Sequence, residues 1–198
     1  LPRTPPPGLG WSVPDGYADL VDISAPPGEW FDPNSAARSR RDPNDVQPQS
    51  LAGAWLASGQ PPYLPSLALA ARAADARALP WFAEKYACAG LLLPDVLNWS
   101  AAASDEQTAA RTRLFYPGTD AGIEGPLPSV RLKRLRRGLQ DAAIMWILQR
   151  RGKQAVARTV TDTMVRYGGL AAGGDNYLDC RLDGWVNDPT AWELARRV

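Results

Sequence analysis

Apolar and polar positions alternate along the chain in three kinds of stretch, each pointing to a different element. Residues 18–24 (Ala-Asp-Leu-Val-Asp-Ile-Ser) switch between apolar and polar in period two, the pattern of a short strand. Residues 51–58 (Leu-Ala-Gly-Ala-Trp-Leu-Ala-Ser) are almost continuously apolar, which suits a strand buried on both faces of a parallel sheet. Residues 90–96 form a third strand candidate. Between these lie amphipathic stretches. Leu79, Phe82 and Tyr86 recur at spacings of three and four and predict one stripe of a helix over about 71–88. Pro80 sits inside that stripe and is expected to kink or restart the helix. Ser129 is a fitting N-cap for a second long helix, with a predicted stripe of Leu132, Leu135, Leu139, Ala142, Met145 and Trp146. Arg150-Arg-Gly152 ends it, and residues 154–167 predict another helix.

The remaining stretches are connections. Residues 1–16 are rich in Pro and Gly and read as an extended linker. Asp32-Pro33 opens a short helix to about residue 41, and 42–49 is a polar connection. Residues 98–127 form an excursion of a length that is usually functional or disordered inside a compact domain. Residues 168–183 form a loop with two Gly pairs, after which Asp188 and Pro189 supply an N-cap and a first-turn proline for a last helix.

Strand, helix, strand, helix, strand, helix is the order of a run of parallel βαβ units joined by right-handed crossovers. The predicted fold class is α/β: the C-terminal portion of a (β/α)8 TIM-type barrel, about three βα units, followed by a helical extension. The expected division is a linker at 1–16, barrel units at 17–150 and a helical extension at 151–198. A full barrel needs eight strands and about 250 residues. With three strands in 198 residues and no initiator Met at Leu1, the sequence is expected to be a piece of a longer protein. A smaller open α/β sheet fits the same order.

Composition narrows the picture. A hydrophobic content of 45% with eight Trp argues against disorder, while 19 Pro and 17 Gly imply many loops. Twenty-two basic and 21 acidic residues give a formal charge of +1, so nothing points to nucleic acid or an anionic membrane as partner. No apolar run approaches the length of a bilayer span. There is no His, which removes the commonest general base and zinc ligand, and neither a metal nor a cofactor is indicated. Cys88 and Cys180 lack CxxC spacing and read as ordinary thiols, with a single disulfide as the alternative.

Several pieces of the middle of the chain carry a resemblance. They are Ala74-Asp-Ala-Arg-Ala-Leu-Pro-Trp81, Lys85-Tyr86 with Gly90, Asn98-Trp99, Phe115-Tyr-Pro-Gly118, and Ser129-Val-Arg-Leu with Leu135-Arg-Arg-Gly-Leu-Gln-Asp141. In this order they resemble the catalytic domain of glycoside hydrolase family 123 and its uncharacterised barrel relatives, over about residues 50–150. The resemblance implies a β-N-acetylgalactosaminidase-like activity on a carbohydrate substrate, and an exported location. It also implies substrate-assisted hydrolysis, in which the substrate's N-acetyl group attacks, a Glu protonates the leaving group and an adjacent Asp orients the acetamide. The family's Asp-Glu pair ends an earlier strand. The only Asp-Glu pair here, Asp105-Glu106, lies in the polar excursion after the last strand candidate and receives no catalytic role. The catalytic pair is therefore expected upstream, and this chain alone is expected to be inactive.

In a barrel the groups at the C-terminal exits of the strands face the site. The exits offer Glu29 and Trp30, then Tyr63, then Asp95, Asn98 and Trp99, with Tyr116 in the excursion. Aromatic faces that stack on sugar C–H surfaces, beside amides and carboxylates for hydroxyls, suit a carbohydrate site, and these seven residues are the substrate-binding candidates. Each has a plainer reading as a loop-shaping, strand-closing or capping residue. Asp75 and Arg77 are expected in a structural ion pair or cap. The basic positions Arg131, Lys133, Arg134, Arg136 and Arg137 read as a solvated helix face. A non-catalytic glycan-binding or scaffolding relative is the competing functional reading.

Overall fold

The computed structural model describes residues 55–57, 64–93, 96–97, 113–165 and 184–197. The expected strand at 18–24, the helix at 32–41 and the linker at 1–16 lie outside the described residues.

The first unit is parallel. Strand β1 (Trp55–Ala57) leads through the 64–74 segment into helix α1 (Asp75–Lys85), which returns to strand β2 (Gly90–Leu92). β1 pairs with β2 in parallel, with Trp55 opposite Gly90 and Leu56 opposite Leu91. Two strands side by side in one direction require a crossover, and α1 supplies it. Residues 55–57 and 90–92, within the segments expected as strands at 51–58 and 90–96, thus lie together in one direction.

The 98–127 excursion ends in a hairpin. Strand β3 (Phe115–Pro117) passes through a 3-10 turn at Gly118–Ala121 and pairs antiparallel with strand β4 (Pro126–Pro128). Val96 ties this hairpin to the segment after β2, because its carbonyl accepts from Leu114 N at 3.1 Å and Phe115 N at 3.4 Å. Phe-Tyr-Pro therefore forms a strand, with the turn only beginning at Gly118.

Helix α2 (Val130–Arg150) is the longest element, followed by α3 (Gln154–Met164) and α4 (Pro189–Ala195). Ser129 caps α2 as expected, its Oγ accepting from Leu132 N at 3.1 Å. Asp188 caps α4 in the same manner, accepting from Thr190 N at 2.8 Å. α1 and α2 end alike. A residue in left-handed conformation, Ala87 (φ 52°) or Gly152 (φ 78°), is followed by an amide that reaches back to Ala83 O or Leu148 O. This is the Schellman closure, which glycine adopts without the steric cost that Ala87 carries.

Two sequence expectations about the helices change. α1 is one continuous run with Pro80 inside it, and it does not restart there. It also begins at Asp75, later than residue 71, because the preceding amides are used in turns: Ala71 N donates to Ala68 O and Asp75 N to Arg72 O. In α2 the buried positions are Leu135, Gly138, Asp141 and Met145, while Leu139 and Trp146 are 49% and 55% exposed. The cause is the partner helix. A Cβ at position 138 would stand 2.2 Å from the carbonyl oxygen of Arg77 and 3.1 Å from Pro80 Cδ, so α1 approaches α2 on the glycine side. The buried seam rotates away from Leu139 and Trp146, and Trp146 stacks against Arg150 instead.

The core lies around α1. Leu79, Trp81 and Phe82 are fully buried with Leu56, Leu64, Met145, Trp185 and Trp192. Trp81 meets Trp192 edge to face at 5.2 Å between ring centroids, and Phe82 meets Trp185 at 5.5 Å. Burial of such rings contributes about 2–3 kcal/mol each, and the edge contacts roughly another 1 kcal/mol. The segment 184–197 is thereby part of the same core as α1, helped by an antiparallel bridge between Val165 and Trp185. Trp81, Trp185 and Trp192 are core residues. Among the described residues, no helix is long and apolar enough to cross a membrane.

Candidate functional site

In a βαβ unit the C-terminal end of a strand and the N-terminal end of the following helix meet on one side of the sheet. Here that side is built by the 64–74 segment, the start of α1 and the start of α2. Two side chains of the basic helix knit it together. Arg131 donates through Nη1 to Leu67 O and through Nη2 to the Tyr116 hydroxyl at 3.0 Å. Arg134 Nη1 donates to Ala73 O at 2.9 Å. Arg137 turns the other way, to Glu193. The expectation of a solvated basic face is corrected accordingly: Lys133 and Arg136 are exposed, but Arg131, Arg134 and Arg137 fasten α2 to its neighbours. Positively charged residues at three- and four-residue spacings are the usual signature of a water-facing helix side, so the tethers leave no mark in the sequence.

Asp75 stands at the first turn of α1 and is fully buried. It accepts from Trp185 Nε1 at 2.8 Å and from Ser66 N at 3.3 Å, and it contacts Arg72 Nε at 3.4 Å. Burial pushes its carboxyl above the usual range, against the donors that favour the ionised form. Its role is to fix the 64–74 segment and Trp185 onto the helix start.

Arg77, one turn further on, reaches across to α2 and α4. Its Nε donates to Asp141 Oδ2 at 2.7 Å, Nη1 to Glu193 Oε1 at 2.5 Å and Nη2 to Trp192 O at 3.3 Å. Arg196 adds a second contact to Asp141 at 3.2 Å, and Arg137 a second to Glu193 at 2.8 Å. The structural role expected of Asp75 and Arg77 holds, although they pair with separate partners and not with each other. Asp141 and Glu193 carry this cluster. Their only sequence signal was a carboxylate on a helix otherwise rich in Arg.

Of the candidate sugar-site residues, Tyr116 is described. It is half-buried on β3 with its hydroxyl held by Arg131. The tie from Val96 to Leu114 and Phe115 places β3 beside the segment that leaves β2. Tyr63, Asp95, Asn98 and Trp99 lie outside the described residues, as do Glu29 and Trp30 and the pair Asp105 and Glu106. Burial pushes the Cys88 thiol up to about 12, so it is protonated near neutral pH and a poor nucleophile. Cys180 is outside the described residues. Among the described residues, no group of three or more His, Cys, Asp or Glu is arranged to hold a metal ion.

Compared with models of known protein families and with curated proteins, the chain matches none.

Proposed function

We propose that this chain is the C-terminal part of a TIM-type barrel glycoside hydrolase, resembling the β-N-acetylgalactosaminidases that use substrate-assisted hydrolysis. The observation that carries the reading is the parallel pairing of β1 with β2 through α1, one unit of the kind from which such barrels are built. The sequence that follows these strands bears Tyr63, Asp95, Asn98 and Trp99, and β3 brings Tyr116 toward the segment after β2. In this reading they line the sugar site, while the catalytic Asp-Glu pair comes from sequence preceding Leu1. An acid and an acetamide-orienting carboxylate are both needed, and in this reading both come from that preceding sequence.

The test is hydrolysis of an aryl N-acetyl-β-galactosaminide by the 198-residue chain and by a version extended at its N-terminus. The extended protein is expected to turn over, the shorter one not. Turnover by residues 1–198 alone refutes the placement of the catalytic pair. In the active protein, Trp99→Ala is expected to raise KM, since a stacked ring is worth about 1–2 kcal/mol.

A second reading, a non-catalytic glycan-binding or scaffolding relative, has an observation of its own. The carboxylates of Asp75, Asp141 and Glu193 are all engaged by Arg or Trp donors that hold segments together. An extended protein that binds N-acetylgalactosamine without cleaving the glycoside would favour it.

A further inference from the structure

Between the 64–74 segment and the first turns of α2 lies a cleft of about 200 Å3, lined by Ser66, Arg72, Ala73, Val130, Arg131 and Arg134 among others. Three arginines line a space that holds no more than a small ligand. No acidic residue is among the described residues lining it. Arg134 is oriented by the Ala73 carbonyl, a neutral acceptor that leaves its full positive charge in place. Arg72 lies over the Trp185 ring at 4.9 Å, its Nε is ion-paired with Asp75 Oδ1 at 3.4 Å, and its Nη2 is buried with no hydrogen-bonded acceptor. Asp75 and the Trp185 ring hold the guanidinium in position and leave Nη2 without an acceptor, a state that an incoming anion relieves. The start of α2 adds the partial positive charge of a 21-residue helix whose first turn contains no acidic residue.

We propose that this cleft binds a small tetrahedral oxyanion, as a sulfate or phosphate group presents it, through Arg72, Arg134 and the first turn of α2. The proposal goes beyond the glycan reading and stands on separate observations, because anion binding can be measured with no sugar present. If the glycan reading holds, the cleft lies on the side of the sheet where the strand exits open, and the anion is a charged substituent of the sugar.

The experiment is titration of the 198-residue chain with sodium sulfate and sodium phosphate, with sodium chloride matched in ionic strength as control. It is read by NMR at the amides of Val130 and the side-chain Nε–H of Arg72. Saturable shifts with sulfate and phosphate, absent with chloride, are expected. Arg134→Gln should weaken binding by about tenfold and Arg134→Lys by less, since one charge-assisted pair is worth roughly 1.5 kcal/mol. Shifts that rise linearly and equally with all three salts overturn the proposal in the wild-type chain, whatever the variants do. Tighter binding of N-acetylgalactosamine 4-sulfate than of inorganic sulfate assigns the site to a substituted sugar; equal binding assigns it to the free ion.

Discussion

Arginine is used in two ways along the α1–α2 pair. In the clasp at the middle of the helices, Arg77, Arg137 and Arg196 meet the carboxylates of Asp141 and Glu193. At the mouth, Arg134 and Arg131 reach the backbone carbonyls of Ala73 and Leu67. In the clasp, charge is matched against charge around the buried Arg77–Asp141 pair, and each of these two groups depends on its partner being present. At the mouth the guanidinium is steered but keeps its charge, and water can replace it. The same residue type therefore locks the fold in one place and charges a surface in the other.

The strongest way to break this contrast is Asp141→Ala. Asp141 is fully buried and faces two arginines, one of which, Arg77, is only 10% exposed. Removing it leaves Arg77 with the half-exposed Glu193 in place of a buried carboxylate, and breaking a buried pair costs about 3–5 kcal/mol. Urea denaturation of the 198-residue chain should show the midpoint fall accordingly. A loss below about 1 kcal/mol would mean that the clasp contributes no more than a surface ion pair.

Gly138→Ala attacks the clasp through geometry and not charge. The added methyl would sit 2.2 Å from Arg77 O, so α1 and α2 must move apart and lengthen the Arg77–Asp141 contact. Overpacking of this kind costs about 1–3 kcal/mol, and the neighbour is backbone that cannot swing aside. The double variant with Asp141→Ala should cost less than the sum, because the spread helices have already weakened the pair.

These two residues also show what the sequence could and could not convey. The alternation of apolar runs with amphipathic stretches led correctly to a parallel pair at 55–57 and 90–92 and to helices capped by Ser129 and Asp188, because those signals are local. The partner of a helix face is not local. The 3.6-residue period placed Leu139 and Trp146 on the buried side of α2, but Gly138 lets α1 approach from another angle. The basic face was misread for the same reason: Arg131 and Arg137 look solvated until Leu67, Tyr116 and Glu193 are brought beside them. Among the candidate sugar-site residues, Tyr116 could be placed, since it belongs to a hairpin tied to Val96.

A smaller effect separates the clasp from the mouth by pH. Hydrogen bonds from Arg137 and Arg77 hold Glu193 down at about 2, below its ordinary 4.5. A carboxylate lowered on folding stabilises above its unfolded value, and the contribution is lost as pH falls from about 4.5 toward 2. Asp75 at the mouth has the opposite sign. Burial raises its carboxyl, so its protonated form favours the fold and that contribution is lost as pH rises through the folded value. Glu193→Gln should therefore flatten the acid side of the stability profile between those limits and leave the Asp75 contribution intact. Because Glu193 is 45% exposed, water screens it and the difference near neutral pH should be about 1 kcal/mol or less. Stability profiles of the two proteins that run parallel from pH 5 to pH 2 would remove Glu193 from the clasp.

The smallest expected effect sharpens the contrast most. Arg134→Ala removes one exposed hydrogen bond to Ala73 O, at 2.9 Å, and leaves a carbonyl that water can reach. A neutral acceptor re-solvated at the surface costs about 0.5–1 kcal/mol, several-fold less than Asp141→Ala. Fold stability is thus nearly indifferent to this arginine, although the Ala73 carbonyl orients its side chain. A charge that is held in place while contributing little to folding still acts on whatever enters the cleft. The paired measurement is denaturation and oxyanion titration on the one variant: a midpoint close to wild type with lost anion binding follows from the division of roles. A midpoint as low as that of Asp141→Ala would instead place Arg134 in the same structural lock as Arg77, and the mouth and the clasp would be one.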